Sequence, residues 1–169
     1  MELLEGIFTR RSIRKYTKAN VDEEQIRSLL EAGMQAPSAV NCQPWHFLVL
    51  TSKDRMLEVT KIHPYSQMLK GASCAILVLG DTNLEHGPGY WAVDCAAATQ
   101  NILLAAHGLG LGSVWVGIHP REERKVAFKE LFELPDHIEP FALISIGYPA
   151  EVRPKPDRYK QDKIHINKW

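Results

Sequence analysis

The segment WAVDCAAATQNILLAAHGLG, residues 91–110, constrains the fold more than any other stretch of the chain. It is apolar on nearly every face, rich in alanine and too long for a strand. A helix of this kind is predicted to be buried all round, in a core or against a second chain. Alanine side chains let helix backbones approach closely, so a subunit interface is expected along it.

The elements that could surround it can be read on either side. Asp22 to Gln25 has the form of a capping box. Ile26, Leu29, Leu30, Gly33 and Met34 then recur at the spacing of one buried helical face. This helix is predicted to stop at Ala36-Pro37, before the loop PSAVNCQP. HFLVLTS reads as a strand, residues 53–62 as a short helix, and CAILVLG (74–80) as a second, buried strand. GSVWVGI (112–118) and FALISIGY (141–148) read as the third and fourth strands. Between them Pro120, at a first helical position with Glu122 and Glu123 in the first turn, opens a helix. Strands alternating with helices predict by default a parallel, doubly wound sheet. The tail alternates at Lys163-Ile164-His165-Ile166-Asn167 like an edge strand, a candidate for pairing with another subunit. The length suits a single domain over residues 1–169.

Charge is balanced, 20 Lys+Arg against 20 Asp+Glu, which argues against a general polyanion binder such as a nucleic-acid protein. Within that neutral chain, TRRSIRKY places Arg10, Arg11, Arg14 and Lys15 close together. Guanidinium groups make paired, charge-assisted hydrogen bonds to phosphate oxygens, and the Ser12 hydroxyl or a main-chain N–H can complete the set. On a helical turn, Arg10 or Arg11 would share a face with Arg14. Arg153, Lys155 and Arg158 form a second basic group among the prolines of the tail. Two such groups repel unless they are held apart or bridged by an anion, and one shared phosphate accounts for both. The plain alternative for the first cluster is a solvated basic segment. Between them in the sequence, Asn41 and Gln43 each offer a donor and an acceptor, which suits the edge of a planar heterocycle. Amides that satisfy their own loop backbone are the competing explanation.

The usual catalytic patterns are missing. GLGLGS (108–113) is spaced G-x-G-x-G and follows a helix, so it fails as a dinucleotide fingerprint. Gly108 and Gly110 are instead expected to end the long helix, and Gly112 to let the next strand approach another segment closely. No HExxH, GxSxG, P-loop or SxxK occurs, and no metal site is expected. Cys42, Cys74 and Cys95 are too few for a disulfide framework and read as small buried hydrophobes, consistent with a reducing cytoplasm. No apolar run approaches the roughly 18 residues needed to span a bilayer. If the chain is an enzyme, the reactive atom belongs to a cofactor.

RRSIRKY, APSAVNCQPWHFLVL, GLGLGSVWVGI after an alanine-rich helix, IGYPAE and RPKPDR occur in that order over nearly the whole chain. In this the sequence resembles the FMN-dependent nitroreductases. The resemblance implies an α+β homodimer with a mostly antiparallel central sheet, in place of the doubly wound one, and C-terminal strands exchanged between subunits. Two FMN molecules would bind at the interface, with NADH or NADPH as electron donor. By the same resemblance Arg10, Arg11, Ser12 and Arg14 would hold the phosphate and ribityl chain, with Arg14 also near the ring. Lys155 and Arg158 would complete the phosphate site. Pro37, Ser38, Ala39, Asn41 and Gln43 would meet the flavin from the partner subunit. Trp115, Val116 and Gly117 would lie along the ring, where a main-chain N–H faces N5. Flavin N5 itself would be the reactive centre, and no side-chain base would be required. Nitroaromatics or quinones would be reduced by two electrons in a ping-pong exchange. The segment DTNLEHGPGY is short for such a protein and leaves an open acceptor side as the expectation. Three other readings keep some of these features: specialised chemistry on flavin or halogenated aromatics, flavin storage without turnover, and a basic-armed nucleic-acid binder.

Overall fold

The computed structural model describes residues Met1–Trp169. Four strands, β1 (Trp45–Leu50), β2 (Cys74–Asp81), β3 (Gly112–Gly117) and β4 (Ile138–Gly147), form one sheet in the order β1-β2-β4-β3. Every neighbouring pair is antiparallel. The doubly wound default is therefore wrong, and the α+β expectation with an antiparallel sheet holds. Hydrophobic periodicity locates strands, but it carries nothing about their order.

β2 shows no alternation because both of its faces are covered. Cys74, Ile76 and Val78 enter one core, and Ala75, Leu77 and Leu79 the other. Helices α2 (Glu23–Met34) and α4 (Tyr90–Gly108) cover the first face, with Leu29, Cys95, Ala98, Ile102 and Ala106 buried there. Helices α3 (Lys53–Ile62) and α5 (Glu122–Phe132) cover the second through Met56, Val59 and Phe128. The capping box at Asp22 is formed: Gln25 N donates to Asp22 Oδ1 at 2.8 Å and Asp22 N to Gln25 Oε1 at 3.2 Å. Gly33 lets α2 approach α4 closely, since a Cβ there would lie 2.9 Å from Ile102 Cδ1. After α4 the chain turns through Gly110 at φ +75°, in the left-handed region that glycine adopts without strain.

Several local features of the single chain depart from the sequence reading or add to it. α4 is not buried all round within one chain, for Val93 is 66% exposed. Arg121 is the N-cap of α5, so Pro120 precedes the helix instead of opening it. The tail forms no strand in this chain; a 3₁₀ turn over Gln161–Lys163 replaces it, and Ile166 and Trp169 are exposed. A first helix, α1 (Leu3–Thr9), presents Leu3, Leu4, Ile7 and Phe8 outward and has no counterpart in the sequence reading.

The basic segment is extended and forms no helical turn. Ile13 N donates to Ser113 O at 3.0 Å and Thr17 N to Tyr148 O at 2.8 Å. Ser12 bridges Ser113 in parallel fashion. The segment rests on Gly112 and Gly147, which face each other across β3 and β4. A Cβ on Gly112 would lie 2.7 Å from Ile13 Cγ2, and one on Gly147 2.9 Å from Tyr16 Cδ1. Two adjacent glycines thus leave a bare patch of sheet on which the arginine-bearing strand is laid.

Candidate functional site

The two basic groups meet. Arg10, at the end of α1, lines a cleft of about 470 Å³ with Lys155 and Arg158 of the tail, alongside Ile7, Phe8, Gln100 and Tyr159. Asp157 is the single carboxylate among its lining residues. Burial lowers the Arg10 pKa from its ordinary value, and the neighbouring charges of Arg158 and then Arg11 lower it further. Lys155 Nζ sits 5.1 Å above the Phe8 ring, a cation–π contact. Three cations held together at the mouth of a partly apolar cleft make it a candidate anion site, with a donor set that suits phosphate oxygens.

Neighbouring residues hold the tail in place. Arg11 Nη1 donates to the Pro154 carbonyl. Glu151 Oε1 accepts from the main-chain N–H of Arg14 at 2.7 Å and of Lys15 at 3.2 Å, and Glu151 Oε2 pairs with Arg153 Nη2 at 2.8 Å. These bonds, the Arg14 N–H first, lower the Glu151 pKa. Arg11 and Arg153 thus join the tail to the basic segment, while Arg10, Lys155 and Arg158 line the first cleft. Ser12 is half-buried in its bridge to β3.

Arg14 belongs to a second cleft of about 310 Å³, lined by Trp115, Val116 and Gly117 of β3 together with His63, Tyr65, Met68 and Arg124. β3 is an edge strand. Its Ser113 carbonyl points outward to Ile13, whereas Ile118 N points inward to Phe141 O at 3.2 Å. Main-chain groups alternate sides along a strand, so those of Trp115 and Gly117 also face outward. A Cβ on Gly117 would meet no atom within 4 Å. The edge therefore offers two N–H donors and a carbonyl, beside open space, to a planar ligand.

Pro37, Ser38, Ala39, Asn41 and Gln43 line neither cleft. They precede β1, at the opposite edge of the sheet from β3 with two strands between. Three interstrand spacings amount to roughly 14 Å. The loop is tightly held: Gln43 N donates to Ser38 Oγ at 3.0 Å, Gln43 Nε2 to Asn41 Oδ1 at 2.9 Å, and Ala39 N to the buried Asp94 Oδ1 at 3.0 Å. Val40, Asn41 and Gln43 have φ of 44°, 60° and 50°. Left-handed backbone costs a residue other than glycine about 1–3 kcal/mol, and such strain collects at binding sites. Val40 is 70% exposed, so its side chain contributes little within the chain. Val40→Gly is expected to stabilise the ligand-free chain by about 1 kcal/mol after the entropy cost of glycine, seen as a melting midpoint roughly 2–4 °C higher. An unchanged or lower midpoint would show that the strain is absent.

His63, Tyr65, Arg124 and Glu151 escaped the sequence reading. Glu151 stands inside the quoted IGYPAE, but nothing local marks it as the partner of two main-chain donors. The other three come from α5 and from the turn after α3, which only the tertiary fold brings beside β3. No helix is long and apolar enough to cross a membrane, and no cluster of three His, Cys, Asp or Glu side chains is arranged to hold a metal ion.

The chain matches the Nitroreductase family over residues 7–67 and 59–148. It is 48% identical over 169 residues, 100% of this chain and 88% of the other, to a Methanothermobacter thermautotrophicus protein named "Putative NADH dehydrogenase/NAD(P)H nitroreductase". An FMN-dependent nitroreductase from Clostridium difficile superposes with a TM-score of 0.91 at 28% identity, covering 98% of this chain and 99% of that one. A Desulfovibrio desulfuricans crystal structure, described as a "putative nitroreductase in complex with fmn", superposes with a TM-score of 0.87 at 33% identity, covering 100% of this chain and 98% of that one.

Proposed function

The chain belongs to the nitroreductase family, and we propose that it acts as a homodimeric FMN oxidoreductase, driven by NADH or NADPH, whose flavin lies between the two clefts described above. It is an NAD(P)H-dependent flavin enzyme, as its relatives are named. The observation that carries the site assignment is the convergence of Arg10, Lys155 and Arg158 from opposite ends of the chain on one cleft. Residues present fit the cofactor: three cations for its phosphate, and an outward-facing edge of β3 for a flat ring.

Bound FMN would supply the redox chemistry, two-electron transfer from NADH or NADPH to a nitroaromatic, quinone or related acceptor. The residues bind and orient. Arg10, Lys155 and Arg158 hold the phosphate, while Ser12 and Arg14 follow the chain toward the ring. Arg11 keeps the tail closed over the site. Trp115 and Gly117 direct main-chain donors at the ring edge, and Arg14 adds positive charge there. No side chain of the chain is assigned as a base, because the cofactor would carry the redox chemistry and the residues here bind and orient it.

A second subunit completes the arrangement. Pro37, Ser38, Ala39, Asn41 and Gln43 lie across the sheet from β3, so in this reading they reach the flavin of the partner. The exposed apolar faces of α1 and of α4 at Val93, with the unpartnered tail, supply the surface that a dimer would bury. The short 82–89 connection leaves the acceptor side open, which favours several flat acceptors over one.

An anaerobic visible spectrum tests the reading. The protein, purified or reconstituted with FMN, is expected to show an oxidised flavin that bleaches with NADH or NADPH and recovers with a nitroaromatic or quinone. Flavin that stays oxidised with both donors would favour storage, and no flavin uptake would overturn the assignment.

A further inference from the structure

We propose that His63 and Arg124 are positioning residues that anchor the Gly117 carbonyl and so fix the end of β3 beside the flavin ring. This inference rests on the flavin reading above. Gly117 O accepts two hydrogen bonds, from His63 Nε2 at 3.0 Å and from Arg124 Nη1 at 2.7 Å. Of the main-chain groups that face outward beyond Ser113, this carbonyl alone is occupied by side chains. The groups left for a ligand are the N–H and carbonyl of Trp115 and the N–H of Gly117.

The two side chains are themselves fixed. His63 is 1% exposed, and its Nδ1 accepts the main-chain N–H of Tyr65 at 3.2 Å. One ring nitrogen accepts and the other donates, so the network assigns a neutral imidazole with its proton on Nε2. Burial lowers the His63 pKa and the nearby Arg124 charge lowers it further, which keeps that tautomer in place at neutral pH. Arg124 Cζ lies 5.6 Å from the centre of the Tyr65 ring. His63, Gly117, Arg124 and Tyr65 thus form a closed circuit of contacts that ties the turn after α3 and the start of α5 to the edge of β3.

Two consequences follow. A carbonyl engaged by two donors holds the Gly117–Ile118 peptide, whose N–H is paired inward with Phe141 O at 3.2 Å, so the end of β3 keeps its place when the cleft is empty and little is lost in ordering it on binding. Arg124 also sets a permanent positive charge at the ring edge, where it favours the more negative, reduced cofactor over the oxidised one.

The test uses the full-length protein with and without FMN. In the flavin-free protein, amide hydrogen exchange at Ile118, the N–H of the clamped peptide, is expected to accelerate at least tenfold in H63L and in R124M, and to remain within about threefold of wild type in H63Q, which keeps an N–H donor in place of Nε2. In the FMN-loaded protein, R124M is expected to reduce the preference for reduced flavin about tenfold, a potential about 30 mV more negative, while R124K stays close to wild type. Unchanged exchange in R124M would remove the clamp. Accelerated exchange with an unchanged flavin potential would remove its role toward the cofactor. Arg124 is half-buried on α5, so its variants carry the test if H63L fails to fold. A wild-type protein that takes up no FMN would instead defeat the flavin reading, and the exchange measurement would still decide the clamp.

Discussion

Arg10→Ala combined with Arg158→Ala is expected to abolish FMN retention and to leave the protein folded. Each side chain lines the cleft assigned to the phosphate. A hydrogen bond to a charged group contributes roughly 1.5–3 kcal/mol, so the pair accounts for roughly 3–6 kcal/mol and a 10²- to 10⁴-fold loss of affinity. The effect on the empty chain has the opposite sign. Arg158 is the largest charge-based cause of the lowered Arg10 pKa, second only to burial, which means that the two guanidinium groups repel when no anion lies between them. Removing both relieves that repulsion, and the flavin-free melting midpoint should be unchanged or higher. Flavin fluorescence titration and thermal melts of both forms separate these effects. Full flavin occupancy in the double variant would remove the phosphate clamp, and a large fall in the flavin-free midpoint would mean that the two side chains hold the fold instead.

That pair also shows what could be read before any coordinates. Two cationic groups in a neutral chain pose an electrostatic question that sequence alone can frame, and the fold answers it by bringing them to one cleft. The strand segments, α3, the capping box and the glycine that ends α4 were legible because each depends on neighbours within a few positions. Strand order was not, since antiparallel pairing of β2 with β4 joins residues as far apart in sequence as Cys74 and Ile146. The charge spacing of the basic segment would suit a helical turn, whereas its backbone is claimed by Ser113 and Tyr148, partners that no local pattern reveals. For the same reason Glu151 and the His63–Arg124 pair went unseen. Each acts on a main-chain group of another element, and main-chain groups carry no letter in a sequence. The tail remained an edge strand without an edge, because nothing in one chain pairs with it.

Gly147→Val should produce the largest loss of stability of any single change considered, and it should disturb the site without touching it. The new side chain must enter space held by Tyr16, whose Cδ1, Cγ and Cβ lie 2.9, 3.0 and 3.1 Å from the ideal Cβ position. Tyr16 cannot simply lean away, for its Oη donates to Ile13 O at 2.8 Å and shares a further hydrogen bond with Ser145 Oγ at 3.0 Å. Overpacking costs about 1–3 kcal/mol, and a displaced buried hydroxyl costs a similar amount when its partners are left unpaired. A total of roughly 2–5 kcal/mol lowers the melting midpoint by roughly 5–15 °C. The segment from Ile13 to Tyr16 carries Arg14 and continues from Arg10, so FMN affinity should fall with it. A pH signature distinguishes loss of this seat from general destabilisation. Burial pushes the Tyr16 phenol up to about 12 from 10.0. A raised acid favours the folded state while the phenol is protonated, so this contribution is fully present below about pH 10 and is lost as the pH rises through 10 towards 12. The wild-type midpoint should therefore fall across that interval. In Gly147→Val the phenol is displaced towards solvent and titrates nearer its ordinary value, so the alkaline fall should be shallower from an already lower start. A variant with the wild-type midpoint and the wild-type alkaline slope would show that the bare glycine patch is not what seats the arginine-bearing strand.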